Sequence, residues 1–516
     1  MPAAKILRYL ISRDVYVLLA AVATLYTWYN PRFLDPANPK VGLMAGIALL
    51  MAVLWMTEKI PLAVTALIPV ALYPFLGIMS GKAVAVTYFN HLIFLFIGGF
   101  LIALAMEKWN LHRRIAINIL SIIGHSPARI LLGVMTVTAF LSMWISNTAT
   151  TMMMVPVILS LSRKWEEADP ENGISVTKAL LLGTAYAASI GGVATLIGTP
   201  PNLFFAQIVK IYFPKIPEIG FAQWFAFAFL LSITLLTAAY IYLRFFFIRT
   251  VSKVPAADTA VIKSEKKDLG KMGYEEKVVL ALFITLALLW LTRPGFNVGH
   301  INIKGWKDFF PHPKWITDGN IAMLIGILLF IIPTKNRSKS RFIMDWKTAE
   351  KIPWNIILLF GGGFALAAGF KESGLTAFIG KSLSGLQDLP VVWIVLIIIA
   401  SITFLTELTS NTATTETLLP ILGSMAVFIH LNPLLIMIPA TIAASFAFML
   451  PIATPPNAIV FASEKIGIRD MMRAGLAMNL IGIVILLGFT FWLLIPVFHI
   501  DPQILPDWAK SLGTPR

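Results

Sequence analysis

The stretch SNTATT at residues 146–151 occurs a second time, letter for letter, at residues 410–415. Both copies lie inside long apolar segments, and a proline follows each serine ten residues later, at Pro156 and Pro420. Polar side chains are costly inside a membrane unless they face protein, water or a ligand. Two such hexads at matching places therefore predict one binding site, built jointly by two related halves of a membrane transporter.

The repeat extends beyond the hexad. LFIGGF at residues 95–100 corresponds to LFGGGF at residues 359–364, at the same offset of 264 residues (410 minus 146) as the two hexads. TPPN occurs at residues 199–202 and again at residues 454–457, an offset of 255 residues (454 minus 199). A longer polar loop in the first half accounts for the difference. Each half is therefore expected to supply one polar tip and one broken helix.

Composition places the whole chain in a bilayer. Of its 516 residues 58% are hydrophobic and only 13% are charged, about half the charged fraction of an average soluble protein. Apolar runs near the ~20 residues needed to span a bilayer recur from end to end, and the short alternating strands of a β-barrel are missing. The prediction is an all-α integral membrane protein. Since there are no cysteines, disulfides and thiolate metal sites are excluded.

The net charge of +15 is explained by the orientation of the chain in the membrane and by contact with the lipid surface, rather than by binding of nucleic acid. Lysine and arginine cluster in short polar stretches between apolar runs, which is the pattern of cytoplasmic loops. The clusters include Lys5, Arg8 and Arg13; Arg113 and Arg114; Arg163 and Lys164; Lys263, Lys266 and Lys267; and Lys335, Arg337, Lys339 and Arg341. We expect a cytoplasmic N-terminus, and a first helix near residues 15–30 that is retained because it lacks a clear cleavage site.

These boundaries divide the chain into two repeats joined by a polar linker. The predicted segments are an N-terminal region with the first helix (1–40), a first repeat (41–249) with a re-entrant hairpin (128–163), a cytoplasmic linker (250–275), a second repeat (276–498) with a re-entrant hairpin (388–424), and a C-terminal tail (499–516). If each hexad segment enters and leaves on one side, the helices carrying Gly98 and Gly362 run in opposite directions. The repeats are then inverted.

The polar motifs suit a carboxylate and a hard cation. A turn inside the membrane leaves backbone groups that only a cavity or a ligand can satisfy. The helix that starts after each hexad tip offers free N–H groups and a positive dipole end, while carbonyls near the consecutive prolines of TPPN are freed to bind Na⁺. No lysine, arginine or histidine occurs in the four motifs. A bound metal cation is therefore the natural partner for an anionic substrate.

Other features leave alternatives open. The glycines in LFIGGF and LFGGGF are expected at points of close helix packing rather than at a ligand. Glu407 and Glu416 are apparent intramembrane acids, which serve ion coupling or contact water or a partner helix. There is no Walker loop, metal-binding histidine pair or nucleophile elbow, so we do not expect an enzyme or an organic cofactor.

With its paired SNT motifs, each followed by a broken helix with TPPN, the chain from about residue 41 to 498 resembles the divalent anion/sodium symporter family. Members carry dicarboxylates, citrate or, in some branches, sulfate. The resemblance implies about eleven transmembrane helices plus two re-entrant helical hairpins. It also implies a homodimer in which a scaffold domain holds a transport domain that moves like an elevator.

Carried over by motif position, the resemblance assigns two sodium sites and one substrate site. The first sodium site comprises Ser142, Ser146, Asn147 and Gly198. The second comprises Thr406, Thr409, Asn411 and Ala453. The substrate residues are Asn147, Thr148, Thr199, Ser410, Asn411, Thr412, Thr454 and Pro455. Thr409 replaces the alanine typical of bacterial members, a mild departure because this position is expected to offer its backbone carbonyl.

The expected function is sodium-coupled uptake of C4-dicarboxylates such as succinate, fumarate and malate across the cell membrane, with Na⁺ as coupling ion. The closest alternative is a sodium-independent exchanger of dicarboxylates or citrate. An anion channel is the rival from another class, since repeats alone do not exclude it. A membrane enzyme is the remote third option, and no acid–base constellation favours it.

Overall fold

The computed structural model describes residues 2–123, 126–248, 260–298, 301–335, 340–382, 389–502 and 504–510. Most of the described chain is helical. The predicted linker therefore falls partly outside the described residues, as do Arg337 and Lys339, residue 388 at the start of the second hairpin segment, and parts of the C-terminal tail. The division into two repeats at these boundaries stays a prediction.

The first half contains twelve described helices. They are α1 (Pro2–Tyr29), α2 (Pro39–Thr57), α3 (Leu62–Thr65), α4 (Ile68–Phe75), α5 (Gly81–Tyr88), α6 (His91–Lys108), α7 (Leu111–Ile123), α8 (Pro127–Ser142), α9 (Asn147–Ala168), α10 (Pro170–Val193), α11 (Pro200–Tyr212) and α12 (Phe221–Phe247). The polar linker region, predicted without long apolar runs, contains the short helix α13 (Ala260–Leu269), which packs against α7.

The helices of the second half follow the linker. They are α14 (Tyr274–Thr292), α15 (Asp318–Ile331), α16 (Trp346–Ala349), α17 (Trp354–Ser373), α18 (Leu375–Ser382), α19 (Val391–Leu405), α20 (Asn411–Phe428), α21 (Pro433–Ala443), α22 (Pro455–Phe461), α23 (Ile468–Phe489) and α24 (Ile495–Phe498). Two 3₁₀ turns (Trp306–Phe309 and Pro313–Trp315) precede α15, and a π-helical turn (Thr490–Leu494) joins α23 to α24.

A two-stranded antiparallel sheet departs from the all-α expectation. Strand β1 (Gly295–Val298) pairs with β2 (Ile301–Lys304) just after α14. Gly295 has a φ of +82°, in the left-handed region that glycine tolerates best, and this lets the chain turn away from the helix. The hairpin is short and leaves the helical architecture unchanged.

By length and composition, six helical segments of the described chain could cross a membrane. They are Pro39–Thr57, Gly81–Lys108, Pro170–Val193, Phe221–Phe247, Trp354–Ser373 and Ile468–Phe498. Several shorter apolar helices accompany them, including Pro127–Ser142 and Val391–Leu405 of the hexad segments. A multi-pass membrane protein is therefore the architecture that these helices form.

The apolar stretch at residues 58–78 does not form one continuous helix, because the chain there forms two short helices, α3 and α4. Ala66 lies at the break, and its carbonyl accepts a hydrogen bond from the Tyr88 hydroxyl. A Cβ added to Gly362 of α17 would come within 2.4 Å of the Ala66 carbonyl oxygen. The break thus lets α17 pack directly on backbone, with a side-chain donor satisfying the freed carbonyl.

Close packing also explains the glycines of the other repeated motif. A Cβ on Gly98 of α6 would lie 2.5 Å from the Ala322 carbonyl carbon of α15. Only a residue without a side chain allows this approach of two helices. The expectation that these glycines serve helix packing is confirmed for Gly98 and Gly362, whereas Gly99 lines a cavity.

Each hexad begins a helix after a tight turn, and each TPPN begins a helix after a break. The turns lie at residues 143–146, between α8 and α9, and at residues 406–410, between α19 and α20. The breaks separate α10 from α11 and α21 from α22. Helix α9 packs against α10 and α22, and α20 packs against α21 and α11. Each tip helix, α9 or α20, therefore contacts the broken helix of its own half. It also contacts the helix that follows the break in the other half.

Candidate functional site

A cavity of about 830 Å³ lies where the two tips and the two breaks meet. All eight residues predicted to hold the substrate line it: Asn147, Thr148, Thr199, Ser410, Asn411, Thr412, Thr454 and Pro455. Ser146, Gly198 and Ala453 from the predicted sodium sites line it too. Ser142, Thr406 and Thr409 lie outside the lining. The structure thus brings the four motifs, taken from distant parts of the chain, to one place.

The two tip helices present their N-termini to the cavity in different ways. At the start of α9, Ser146 Oγ accepts a hydrogen bond of 3.2 Å from the backbone N–H of Ala149. At the start of α20, Ser410 makes no such cap hydrogen bond. The first N–H groups of a helix have no partner within it and favour an anion, as does the helix dipole. The start of α20 therefore has more unused donor capacity for a carboxylate.

The first predicted sodium site is compact. The Ser142 hydroxyl donates to Asn147 Oδ1. A Cβ added to Gly192 would lie 2.7 Å from Asn147 Oδ1 and 3.1 Å from the Gly198 carbonyl oxygen. The absence of a side chain at Gly192 therefore keeps a small space beside Asn147 and Gly198. Oxygen atoms from a hydroxyl, an amide and a backbone carbonyl meet around it.

The second predicted sodium site repeats this arrangement. Thr406 Oγ1 lies 2.8 Å from Asn411 Oδ1 and 2.9 Å from the Ala444 carbonyl oxygen. Ala453 lines the cavity nearby. The Thr409 hydroxyl is bonded to Thr414 Oγ1 at 2.6 Å, so its side chain is engaged away from the cavity. If Thr409 binds a cation, its backbone carbonyl is therefore the group that would do so.

The donor sets fit a hard monovalent cation. Hydroxyl, amide and carbonyl oxygens are the ligands that hard cations prefer, and neutral oxygens of this kind hold Na⁺ in broken-helix transporters. Within the described residues, no group of three or more His, Cys, Asp or Glu side chains is placed to hold a metal. The residues that would hold Na⁺ are Ser142, Asn147 and Gly198 at one tip, and Thr406, Asn411 and Ala453 at the other.

Two further asparagines, missed by the sequence reasoning, hold the broken helices in shape. The Asn202 Nδ2 atom lies 2.7 Å from the Thr195 carbonyl oxygen and 3.1 Å from that of Val193. Asn457 Nδ2 donates to the Ala447 carbonyl at 2.9 Å, and to that of Leu450 at 3.0 Å. Both side chains are fully buried. They satisfy carbonyls that the helix breaks set free, and the final letter of the repeated TPPN was the signal that could have identified them.

Glu407, whose role the sequence left open, braces the second break. Its Oε1 atom accepts hydrogen bonds from the backbone N–H groups of Phe448 (2.8 Å) and Met449 (2.9 Å), and Oε2 accepts one from Leu450 (3.0 Å). Asn479 Nδ2 donates to Oε1 as well, at 2.8 Å. The carboxylate therefore satisfies three backbone donors of the unwound segment and ties that segment to the tip.

Charged side chains gather at one end of the cavity. Glu58, Glu107 and Lys351 line it there, and Glu58 and Lys351 are exposed, so this end faces solvent. Among the lining residues that the structure describes, Lys351 is the one cation. The sequence reasoning missed these three residues because they lie outside the repeated motifs. The region between the tips is therefore lined by neutral groups.

Comparisons with known proteins show what this chain is similar to. A family model described as the sodium:sulfate symporter transmembrane region matches residues 12–500. A protein of Staphylococcus saprophyticus called sodium-dependent dicarboxylate transporter SdcS is 42% identical over 478 residues, covering 92% of this chain and 90% of that protein. The protein of the same name from Staphylococcus aureus (strain MRSA252) is 42% identical over 460 residues, covering 88% and 86% of the two chains.

Two solved transporters share the fold at low sequence identity. The Alcanivorax borkumensis YdaH transporter superposes with a TM-score of 0.54 at 12% identity, covering 90% of this chain and all of that one. Neisseria gonorrhoeae MtrF superposes with a TM-score of 0.50 at 14% identity, covering 83% of this chain and 85% of that one. At such identities the likeness concerns the fold alone.

Proposed function

We propose that this chain, which belongs to the sodium:sulfate symporter family, is a sodium-coupled symporter of C4-dicarboxylates such as succinate, malate and fumarate. The observation that carries the proposal is the pair of asparagines, Asn147 and Asn411. Each lies at the start of a tip helix, lines the shared cavity, and has its Oδ1 atom bonded to a hydroxyl. The name of the 42% identical relatives, sodium-dependent dicarboxylate transporter, supports the substrate class and the ion.

A dicarboxylate matches the twofold character of the cavity. One carboxylate would lie against the start of α9 with Asn147 and Thr148, and the other against the start of α20 with Asn411 and Thr412. Thr199 and Thr454, at the starts of the broken-helix pieces, would add one hydroxyl from each half. A substrate with a single carboxylate would leave the donors of one tip unpaired, which costs affinity.

Two sodium ions would supply the positive charge that the tips lack. Each of Asn147 and Asn411 belongs to both a predicted cation site and the substrate site, so cation binding would orient the amide that the substrate needs. Because such linkage is reciprocal, the substrate would also raise the affinity for sodium. The binding of sodium and the binding of substrate would therefore be thermodynamically coupled, and no covalent step is needed.

The movement that we propose is an elevator. The hairpins and broken helices would travel as one unit past the helices that do not contribute motifs, with the repeats inverted about the site. The orientation that we propose, with a cytoplasmic N-terminus, would place the charged end of the cavity on the cytoplasmic side, so the conformation described here would face inwards. We further propose a homodimer, on the resemblance to the family.

The deciding experiment is uptake of radiolabelled succinate by proteoliposomes. One arm has an inward sodium gradient, one has potassium in place of sodium, and one contains unlabelled dicarboxylate inside. Concentrative uptake that requires sodium and no internal substrate is the expected result. Uptake that ignores sodium and requires internal dicarboxylate would make the protein an exchanger, and flux that does not saturate would make it a channel. Competition by unlabelled malate, fumarate, citrate or sulfate ranks the substrates.

A further inference from the structure

Glu416 is a buried acid that the proposed transport chemistry does not use. It lies in α20, four residues after Thr412, so the two side chains share one face of the helix and are one turn apart. Thr412 lines the cavity, whereas Glu416 does not. Glu416 is completely buried, with an exposure of 0%.

Three helices pack together beside Glu416, and they approach one another closely at Gly363. A Cβ added to Gly363 of α17 would lie 2.5 Å from Phe204 Cε2 of α11 and 2.9 Å from Glu416 Cδ. The three helices α11, α17 and α20 pack against one another. Helices α11 and α20 begin with binding motifs, while α17 packs against α2, α3, α4 and α5. Glu416 therefore lies at the boundary between the helices that carry the site and those that support them.

Neither carboxyl oxygen of Glu416 has a hydrogen-bond partner among the residues that the structure describes. An ionised carboxylate without donors or a counter-ion in such a place is prohibitively expensive, and a carboxyl group escapes the cost by holding a proton. A metal ion would need several oxygen ligands. Gly363 and the Phe204 ring, which lie beside the Glu416 carboxyl, offer none, and no group of three or more His, Cys, Asp or Glu side chains forms within the described residues. A proton is the cation that fits.

The charged groups of the neighbouring helices leave this conclusion unchanged. Tyr88 interacts electrostatically with Glu416, and its hydroxyl donates to the Ala66 carbonyl. Helices α2, α11, α17, α18 and α21 pack against α20. Their charged residues lie in the first or last turns: Lys40 in α2, Lys210 in α11, Lys371 and Glu372 in α17, and Lys381 in α18.

We propose that Glu416 is a proton-binding site whose occupation stabilises this conformation of the transporter. The proton comes from water, in a conformation that hydrates Glu416, and returns to water when the carboxyl is hydrated again. A ligand that binds one conformation better shifts the population towards it. Acidification therefore favours the conformation in which Glu416 is dry and the cavity is open at its charged end. The inference rests on the proposed function only in taking the boundary at α17 as the place of movement.

The absence of cysteine from the chain allows a direct test without substrate or sodium. Leu104 lines the cavity and is half-buried, so Leu104→Cys reports whether the cavity is open. Its alkylation by a hydrophilic maleimide is measured in lipid nanodiscs at several pH values. Each rate is divided by that of Lys347→Cys, an exposed position outside the cavity, which removes the intrinsic pH dependence of the thiol.

The normalised rate is expected to be about fivefold or more higher at about pH 5.5 than at about pH 8, the lower end of ordinary coupling between two sites. In a Glu416→Gln background, the rate should stay at the acid value at every pH, because glutamine mimics the protonated group. Glu372→Gln, an exposed acid at the end of α17, is the matched control and should keep the pH response.

Two results would overturn the proposal. One is a pH response that persists in Glu416→Gln, and the other is the absence of a response with Glu416 present. The second result needs no variant at position 416, so it decides the question even if Glu416→Gln fails to fold. Neither depends on whether the protein carries dicarboxylates. A failed uptake experiment combined with a positive alkylation result would therefore reject the proposed function and retain the proton site.

Discussion

Thr406 Oγ1 and Asn411 Oδ1 lie 2.8 Å apart across the turn that starts α20. The four residues between the two positions form the turn, so the hydrogen bond fixes its width. Ser142 and Asn147 make the same contact across the other turn. In both cases the hydroxyl donates to the amide oxygen that would bind the cation, so the proposed sodium ligands are already close together before the ion binds.

Removing either amide should abolish uptake. In Asn147→Ala or Asn411→Ala, one tip loses an amide assigned to both a cation and a carboxylate, so we expect sodium-dependent succinate uptake to fall by a factor of 100 or more, about 3 kcal/mol. Folding should persist, as judged by size-exclusion chromatography and thermal unfolding. Asn118→Ala, an exposed asparagine on α7, should transport normally. Normal uptake by either tip variant would contradict the shared site.

Thr406 offers a test that separates the cation from the substrate. Thr406→Val keeps the shape and removes the hydroxyl, so the sodium concentration for half-maximal uptake should rise about tenfold, as for loss of a supporting contact at a metal site. Thr406→Ser, which restores the hydroxyl, is the matched control and should stay near the wild type. A change in the apparent succinate affinity alone, measured at saturating sodium, would argue against a sodium role for this residue.

Glu407 should matter chiefly for stability. In Glu407→Gln, an N–H₂ group replaces one of the oxygens that accept from Phe448, Met449 and Leu450, leaving a buried backbone donor unpaired. The free energy of unfolding is expected to fall by about 1–3 kcal/mol, which a lower thermal midpoint in detergent would report. Glu372→Gln should leave that midpoint unchanged. Equal midpoints for Glu407→Gln and the wild type would show that the unwound segment does not need this brace.

The link between α6 and the segment before α17 gives a pH prediction. Burial alone would raise the pKa of Asp345, but hydrogen bonds from Lys108 and Thr348 outweigh it and hold the pKa well below its ordinary value. A carboxyl with a depressed folded-state pKa stabilises the protein above its unfolded pKa, about 3.9, and this stabilisation disappears as pH falls through the folded value.

Accordingly, Asp345→Asn should unfold at a lower temperature than the wild type at neutral pH and still at about pH 5, since both values lie above the unfolded pKa. The difference between the unfolding temperatures of the variant and the wild type should disappear only in stronger acid. Differential scanning fluorimetry in detergent across pH measures it, with Asp308→Asn, an exposed aspartate of the first 3₁₀ turn, as control. A gap that closes already near neutrality would mean that another group, not Asp345, titrates.

The sequence predicted where the hexad and TPPN helices start better than it predicted the scaffold. The repeated hexads and TPPN motifs mark where helices start, because prolines and polar caps act locally, and these starts are where the structure has them. The hydrogen bonds of Glu407 join residues that are 41 to 43 positions apart, so no local sequence pattern predicts them. The break at Ala66 is likewise set by the approach of α17, a tertiary effect that no local pattern in residues 58–78 contains.

The exchange of partners between the halves has a consequence for how the protein is made. Helix α9 begins at Asn147, and α22, on which it packs, begins at Pro455, 308 residues (455 minus 147) later. At about 5–20 residues per second, translation leaves the first tip without this neighbour for roughly 15–60 s. During that time the polar tip lacks the helix on which it packs in the finished fold, so the cavity cannot form before the second half is made.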